Sequence, residues 1–246
     1  MKYLKKLFRQ AVGKFNGTFR WKINRTGYSH NFFHNLLDDY FLENKSIVFI
    51  QIGGCDGESF DPIYSYLKRY RNRVSGVIVE PVNEYCNELR SLYADQPGIK
   101  VYEGAIHNSK ESMTFYRPDL DLLENMQGFE KGIASFNKDH ITKYGVKENE
   151  IIEEKVKCIT LPELIEQYSL TDVDILQIDA EGYDAQIILN IDFSSFKPSI
   201  IHFEHGLGDD IMTPGDLSEI IKLLNSIGYD IHMDVFDATA YKRNLY

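Results

Sequence analysis

Residues 47–57 read Ile-Val-Phe-Ile-Gln-Ile-Gly-Gly-Cys-Asp-Gly, and this stretch decides the fold. Six residues rich in β-branched and aromatic side chains predict a buried strand over 47–52. Three glycines within the next five positions predict a tight turn. In α/β folds such a turn leads into a helix and presents backbone N–H groups to a nucleotide-like ligand. We therefore expect the chain to be organised around the end of this strand.

The rest of the chain alternates between apolar runs and segments with helical spacing. The further predicted strands are 74–79, 99–105, 173–178 and 200–203, and the predicted helices are 30–42, 60–70, 83–94, 161–168, 183–189 and 217–227. Residues 229–233 and 238–242 predict a closing hairpin. Repeating β-α units predict a mostly parallel sheet covered on both faces, with an antiparallel strand near one edge.

The region after the third strand interrupts this alternation. Residues 112–116 predict a short edge strand, and residues 155–160 predict another strand. Residues 119–150 predict a long loop with one short helix, and a loop of this length is typical of a substrate-binding lid. At the helix ends, Asn83 is predicted to cap the helix that it begins, and Pro62 is predicted to lie in a first turn.

Composition indicates one globular domain with an extension. The chain has 246 residues, of which 43% are hydrophobic, and no apolar run reaches the ~18 residues that span a bilayer. Its basic start lacks the apolar segment of a signal peptide. Cys55, Cys86 and Cys158 show neither pairing nor metal spacing, which favours a reducing cytosol. We expect a helical, basic and aromatic extension over residues 1–45 and one domain over residues 46–246.

Charge is distributed unevenly along the chain. Residues 1–37 contain eight Lys or Arg and no Asp or Glu, although the whole chain has a formal net charge of −10. An acidic body argues against nucleic acid as a partner. Residues 1–25 predict a basic amphipathic helix, which would lie on an anionic membrane surface or pack on the acidic body. Nothing in the sequence predicts an oligomeric state.

Polar or glycine clusters follow four of the predicted strands. They are residues 51–57, Glu80-Pro81, residues 179–182 and residues 202–205. The carboxyl ends of parallel strands meet at one edge of a sheet, where α/β folds bind ligands. Polar groups gathered there are costly to desolvate unless they serve a site. Each cluster alone would be a cap or a turn, but four together predict a functional site.

The glycine turn is acidic, and this bears on its ligand. Asp56 and Glu58 stand where the two phosphates of a dinucleotide would be repelled. A sulfonium cofactor, which is cationic and has no phosphate, suits such a turn better. Glu80, at the end of the second predicted strand, can accept hydrogen bonds from both hydroxyls of a ribose. These features favour S-adenosylmethionine over a dinucleotide.

These residues also resemble a known family, the FkbM family of S-adenosylmethionine-dependent methyltransferases. The resemblance covers about residues 46–235, and its most specific element is the strand that ends Ile-Asp-x-Glu-Gly-x-Asp. It is carried by Phe49-Ile-Gln-Ile-Gly-Gly-Cys-Asp-Gly-Glu-Ser, Val77-Ile-Val-Glu-Pro, Gly104-Ala-Ile, Asp174-Ile-Leu-Gln-Ile-Asp-Ala-Glu-Gly-Tyr-Asp and Ile200-Ile-His-Phe-Glu. Two positions depart from the family pattern: Gln51 stands where an acid is common, and Cys55 stands where Asn or Gly is common.

The resemblance implies a class I methyltransferase fold, with a mostly parallel seven-stranded sheet, and O-methylation, often of a sugar hydroxyl. Carried over by motif, the implied cofactor-binding residues are Gln51, Gly53, Gly54, Cys55, Asp56, Glu80, Pro81, Ala105, Ile106 and Asp179. Among them, Glu80 should bind ribose, and Ala105 and Ile106 should flank adenine. Asp179 and Glu181 should face the methyl donor or the acceptor.

Transfer of a methyl group to an alcohol also calls for a general base. The candidate catalytic residues are His205, Glu181, Asp179, His202 and Glu204. His205 and Glu181 are the first choices, because His205 lies at a strand exit, near solvent and substrate. The same side chains permit a metal interpretation, but His-x-Glu-His lacks a zinc spacing and Mg²⁺ prefers oxygen ligands. We expect no metal.

Two other functions compete with methyl transfer. Tyr64-Ser-Tyr-Leu-Lys68 matches the Tyr-x-x-x-Lys pattern of a nicotinamide-dependent sugar oxidoreductase or epimerase, but it lies in the helix directly after the glycine turn. A degenerate module that keeps the fold and binds a partner is the second alternative, and the departures at Gln51 and Cys55 allow it. The intact Glu80 and residues 179–182 argue against that module.

The acceptor is the least determined part of the prediction. Aromatic residues in and near the long loop would stack on sugar rings or close a core: Phe115, Tyr116, Phe129, Phe136 and Tyr144. With the basic terminus and the family resemblance, they favour a small-molecule or glycan acceptor in surface-polysaccharide biosynthesis. Such an enzyme would be cytoplasmic and would work at the inner face of the membrane.

Overall fold

The structure, a computed structural model, describes residues 31–59, 61–119, 132–207 and 211–245. Within these residues, ten strands form two sheets. They are β1 (Ile47–Ile52), β2 (Val74–Glu80), β3 (Ile99–Glu103), β4 (Ala105–Ile106), β5 (Ser112–Pro118), β6 (Ile151–Ile159), β7 (Ile175–Ile178), β8 (Ile200–Glu204), β9 (Tyr229–Met233) and β10 (Asp237–Lys242).

The larger sheet has seven strands in the order β3-β2-β1-β7-β8-β10-β9. Its strands pair in parallel from β3 to β8, while β10 pairs antiparallel with both β8 and β9. The predicted parallel sheet and the antiparallel strand near its edge are thus confirmed. Chain order reverses between β1 and β7, and ligands of α/β sheets bind beyond the strand ends at such a point.

Helices cover both faces of this sheet. They are α1 (Asn31–Glu43), α2 (Tyr64–Arg69), α3 (Asn83–Leu92), α4 (Lys138–Lys143), α5 (Leu161–Gln167), α6 (Asp184–Leu189) and α7 (Pro214–Ser226). On one face, α1 buries Leu37 and Phe41 against Ile47 and Phe49 of β1. On the other face, residues of α5, α6 and α7 pack on alternate residues of the same strands. Every central strand is therefore buried on both sides, as its near-continuous apolar sequence requires.

The smaller sheet corrects the predicted third strand. That strand was expected to run over 99–105, but it ends at Glu103, and Ala105–Ile106 pairs instead with β6 in the order β4-β6-β5. Gly104 makes the break at a φ of 154°, and a Cβ there would stand 2.7 Å from the carbonyl oxygen of Lys157. Only glycine lets the chain leave one sheet and join the other at this point.

Several predicted boundaries also need correction. Val82, rather than Asn83, is the N-cap of α3, and the Asn83 amide instead donates a hydrogen bond to Glu103. Helix α2 begins at Tyr64, so Pro62 precedes the helix and does not lie in its first turn. The strand predicted at 155–160 is longer, because β6 begins at Ile151 and pairs along the whole of β5.

The described part of the predicted lid is partly ordered into helix. Residues 132–146, here called the flap, contain α4, and a 3-10 turn follows at Glu148–Glu150. Asn137 caps α4 by accepting a hydrogen bond from the Asp139 N–H. Residues 120–131, which include Phe129, lie outside the described residues, as does the basic segment 1–25. Among the described helices, none is long and apolar enough to cross a membrane.

His202 belongs to the core under α1. It is only 7% exposed, its ring stacks on Phe33 at a centroid distance of 3.9 Å, and its Nδ1 lies 3.0 Å from the Thr239 hydroxyl oxygen. Burial, with a smaller contribution from His34, lowers the pKa of His202 to about 3. A histidine whose pKa is lowered by folding stabilises the fold above its unfolded pKa of about 6.5, and this contribution is lost as the pH falls.

We predict that His202→Asn flattens the pH dependence of stability between pH 6.5 and pH 4.5. The asparagine amide keeps a partner for Thr239 but takes up no proton on unfolding. Wild-type protein should therefore lose roughly 2 kcal/mol more unfolding free energy than the variant over this interval. Urea melts at the two pH values provide the measurement. Equal losses in both proteins would show that His202 is protonated in the folded state.

Candidate functional site

A cleft opens at the carboxyl ends of β1, β2 and β7. Apolar side chains form much of its wall, and three acidic residues, Glu80, Asp179 and Glu181, also line it. Among the described lining residues there is no Lys or Arg. The cleft therefore suits a ligand with an apolar body and positive or hydrogen-bond-donating groups.

Glu80 is the polar centre of the cleft's first wall. It is 4% exposed, and its Oε2 accepts hydrogen bonds from the backbone N–H groups of Gly54 (3.2 Å) and Cys55 (2.8 Å). Its Oε1 accepts a third, from Val82, at 2.8 Å. Burial raises the pKa of Glu80 to about 7 against the opposing effect of these donors. A carboxylate offers about four acceptor positions, so one remains for a ribose hydroxyl.

Two contacts fix the shape of the glycine turn, one with Asp179 and one with Glu80. Gly53 has a φ of 83°, and a Cβ there would stand 1.7 Å from the carbonyl oxygen of Asp179, so a larger residue would push β1 from β7. Cys55 adopts a φ of 45°, a conformation that Asn and Gly occupy more readily. Its N–H nevertheless points at Glu80, so the unusual residue keeps the turn's geometry, at the expense of backbone strain.

The second wall is the turn after β7. Glu181 has a φ of 46° and is followed by Gly182 at 94°, so two successive residues are left-handed. Asp184 holds the start of this turn, because its Oδ2 accepts from the Ala180 N–H at 3.1 Å. The other Asp184 oxygen accepts from the Glu204 N–H at 3.3 Å, which joins the turn to the end of β8. The last acid of the Asp-x-Glu-Gly-x-Asp motif is thus a structural brace.

The flap closes this second wall. The Ser135 hydroxyl donates to the carbonyl oxygen of Glu181 at 2.9 Å, and His140 Nε2 lies 2.9 Å from Glu181 Oε2. His140 is only 6% exposed, whereas Glu181 faces the cleft. Phe136 packs edge-on against Phe115 and Tyr183, also in the cleft wall. The flap therefore both covers the cleft and holds the Glu181 carboxylate.

Some of the predicted site residues lie together in the cleft wall and others do not. Those in the wall are Gly53, Cys55, Glu80, Pro81, Ala105, Ile106, Asp179 and Glu181. Gly54 shapes the turn from behind, and Asp56 accepts backbone hydrogen bonds from Glu58 and Ser59. Gln51 and Glu204 lie outside the cleft lining.

The two predicted histidines have structural partners. His205 is 1% exposed; its Nδ1 accepts from the Leu207 N–H, and its Nε2 lies 3.3 Å from the Asp234 carbonyl oxygen. Burial lowers the pKa of His205, which agrees with a neutral ring donating through Nε2. The structure thus places His205 between β8 and the closing hairpin, and His202 under α1, away from the cleft lining.

Sequence reasoning missed His140, Tyr85 and Tyr183. Tyr85 lies in the first turn of α3 and Tyr183 is the N-cap of α6, and both helices follow strand ends, so position along the chain was a usable signal for them. His140 had no such signal, because it reaches Glu181 across 41 residues of sequence. The Tyr64 and Lys68 pair lies outside the cleft, and the Lys68 ammonium donates to the Leu92 carbonyl oxygen.

Comparisons with known proteins bear on this site. The family model described as "Methyltransferase FkbM domain" matches residues 51–231. The chain belongs to the FkbM methyltransferase domain family. The resemblance that the sequence motifs predicted is thus confirmed at the level of the family. Among curated proteins, none matches the chain.

Solved methyltransferase structures resemble the chain distantly. The methyltransferase FkbM from Methylobacillus flagellatus KT is 15% identical, with a TM-score of 0.47, covering 80% of this chain and 44% of that one. A precorrin-6y C5,15-methyltransferase from Geobacter metallireducens is 12% identical, with a TM-score of 0.44 and coverages of 85% and 86%. A human methyltransferase 10 domain containing protein is 13% identical, with a TM-score of 0.46 and coverages of 98% and 92%. The chain spans less than half of the Methylobacillus protein.

The cleft fits S-adenosylmethionine by the chemistry of its donors and acceptors. Glu80 would hold the ribose, and the apolar Val79, Ala105 and Ile106 would enclose the adenine. Gly53, which also lines the cleft, lets the backbone of the glycine turn lie directly against Asp179 at the end of β7. In the part of the chain that the structure describes, no group of three or more His, Cys, Asp or Glu is placed to hold a metal ion.

We predict that Glu80→Gln weakens S-adenosylmethionine binding by at least about tenfold, as expected for the loss of a hydrogen bond to a charged group. The amide would also turn an N–H₂ group toward a backbone donor. Isothermal titration calorimetry gives the Kd. Glu103→Gln is the matched control, because Glu103 is the β3 register partner of Glu80 and pairs with Arg90 outside the cleft. Unchanged affinity in Glu80→Gln would remove Glu80 from the cofactor site.

Proposed function

We propose that the protein is an O-methyltransferase that methylates a hydroxyl of a sugar or glycan, with Glu181 as the general base. The observation that carries this proposal is the position of the Glu181 carboxylate, which lines the cleft and is held by His140 at 2.9 Å. A hydroxyl acceptor must lose its proton, and an oriented carboxylate is suited to receive it. S-adenosylmethionine would supply the methyl group to the acceptor oxygen and leave as S-adenosylhomocysteine, and Glu181 would receive the proton that the hydroxyl loses.

S-adenosylmethionine supplies a methyl group activated by a positively charged sulfur. The protein's own contribution is to orient the two reactants and to exclude water. Phe136 and Phe115 cover the cleft from the flap and β5, and Ser135 fixes the turn that carries Glu181. Asp179 faces the cleft from the end of β7, directly beside Gly53 of the glycine turn. His202, Glu204 and His205 are less suitable as bases, because they do not line the cleft.

A sugar acceptor is favoured by the aromatic part of the cleft. Phe136, Phe115 and Tyr183 form a continuous edge-to-face group on its wall, and aromatic rings offer flat surfaces to the C–H faces of sugars. The lack of Lys or Arg among the described lining residues argues against a phosphorylated acceptor. The same feature disfavours a nicotinamide dinucleotide, whose pyrophosphate would face Glu80 and Asp179.

We predict that Glu181→Gln lowers methyl transfer by about 10²–10³-fold while S-adenosylmethionine affinity changes little. The assay uses S-adenosylmethionine with an isotopically labelled methyl group and glycan extracts from a strain that lacks the gene. Glu219→Gln, on the exposed face of α7, is the control. Wild-type transfer to a nucleic acid or protein fraction alone would contradict a glycan acceptor, and normal turnover in Glu181→Gln would contradict the base.

We further propose that the basic residues 1–25 lie on an anionic membrane surface, which would place a cytoplasmic enzyme at the inner face where surface glycans are built. Full-length protein should co-sediment with vesicles containing phosphatidylglycerol and not with neutral phosphatidylcholine vesicles. The association should fall as salt is raised, since it is electrostatic. A variant with Lys2, Lys5 and Lys6 changed to Gln should bind less, and equal binding of this variant would refute the proposal.

A further inference from the structure

A histidine of the flap contacts the proposed base. His140 lies in α4, and its Nε2 is 2.9 Å from Glu181 Oε2. The two side chains are 7% and 22% exposed, so water has little access to the contact, while Glu181 still lines the cleft. In the described parts of the chain, no Lys or Arg forms an ion pair with Glu181. His140 is therefore the side chain that holds this carboxylate.

The start of α4 is tied both to β5 and to the turn that carries Glu181. Ser135 exchanges two backbone hydrogen bonds with Tyr116 of β5, each 2.9 Å long. The Ser135 hydroxyl accepts from the Asn137 N–H at 3.2 Å and donates to the Glu181 carbonyl oxygen at 2.9 Å. Asn137 is the N-cap of α4. One hydroxyl therefore fixes the beginning of this helix against the backbone of the proposed base.

A small apolar core anchors the same helix. Ile141, which follows His140, is fully buried and packs with Ile133 and Val146. The Tyr144 ring meets the His140 ring edge-on, with their centroids 5.2 Å apart. A side chain that is packed on a fixed helix keeps one orientation, and such support is what a precisely placed catalytic group requires. The flap therefore presents His140 to Glu181 in a defined position.

The direction of the hydrogen bond follows from the chemistry of a base. A carboxylate that is to receive a proton must be ionised, and an ionised carboxylate only accepts hydrogen bonds. We therefore assign a proton to His140 Nε2, which donates to Glu181 Oε2. With Oε2 directed at His140, Oε1 is the oxygen that an acceptor hydroxyl would meet.

This hydrogen bond restricts the rotation of the Glu181 carboxylate. A glutamate without a partner turns among several staggered rotamers, and only some of them would point a carboxylate oxygen at the acceptor. We infer that His140 is a positioning residue for methyl transfer, which acts by orienting the Glu181 carboxylate. His140 does not line the cleft, so it acts through Glu181 and not on the acceptor directly. This inference rests on the proposed role of Glu181 as the general base.

The test compares two replacements of His140 in full-length protein. His140→Phe keeps a flat ring but removes the donor, and His140→Gln keeps an N–H donor. Transfer of a labelled methyl group from saturating S-adenosylmethionine to a whole extract of a strain that lacks the gene gives the rate. His140→Phe should lower the maximal rate about 10–100-fold, with S-adenosylhomocysteine affinity within about twofold of wild type, and His140→Gln should recover most of the rate.

His232→Phe is the matched control. His232 belongs to a second pair of histidine and carboxylate, since its Nε2 lies 3.5 Å from Asp234 Oδ1, and this pair is outside the cleft lining. The rate of His232→Phe should equal that of wild type. Thermal melts show whether each variant is folded. If His140→Phe does not fold, His140→Ala replaces it, and added imidazole should then restore the rate.

A double-mutant cycle separates positioning from a merely structural role. In Glu181→Gln protein, His140→Phe should lower the remaining rate by less than about twofold, because the group that it orients is already gone. A full further loss there, equal losses in His140→Gln and His140→Phe, or a normal rate in folded His140→Phe would overturn the inference. Normal turnover in Glu181→Gln alone, or no transfer by wild-type protein, would refute the proposed function itself.

Discussion

The three hydrogen bonds that the Glu80 carboxylate accepts from backbone N–H groups are the constraint on which the site depends. Two of them, from Gly54 and Cys55, join the end of β2 to the glycine turn after β1, and the third, from Val82, holds the carboxylate in place. Two neighbouring strand ends thereby become one wall. Gly53 then brings this wall against Asp179 at the end of β7. The cleft is the space left between these backbone segments, and its position follows directly from the reversal of strand order between β1 and β7.

The sequence predicted this wall because its signals are local. A β-branched strand, a glycine turn and an acid at the next strand end each depend on a few adjacent residues, and alternation of strands and helices then implied the sheet. The closing hairpin was predicted in the same way, and β10 indeed lies between β8 and β9. The break at Gly104 was not predictable, since it depends on a contact with Lys157, more than 50 positions away.

Side-chain roles were predicted less well than positions. Asp184 and Glu181 belong to one motif, yet one braces the backbone and the other faces the cleft, a difference set by the left-handed turn between them. His202 and His205 lie at a strand end as the pattern indicated, but ring stacking and backbone partners occupy them. His140 contacts Glu181 only because the flap folds back, and no local pattern encodes that contact.

The acids of the site make the free protein less stable than an apolar alternative would. Burial raises the pKa of Asp61 to about 6 and of Asp184 and Glu80 to about 7. A carboxyl group whose pKa is raised by folding contributes stability that is present below its unfolded pKa of about 4 and is lost as the pH rises through the folded value. At neutral pH these groups therefore oppose folding, and the large apolar cores on both faces of the sheet must offset them. A bound cation or hydrogen-bond donor would offset part of the cost of burying these carboxyl groups, because it would bind the folded state alone.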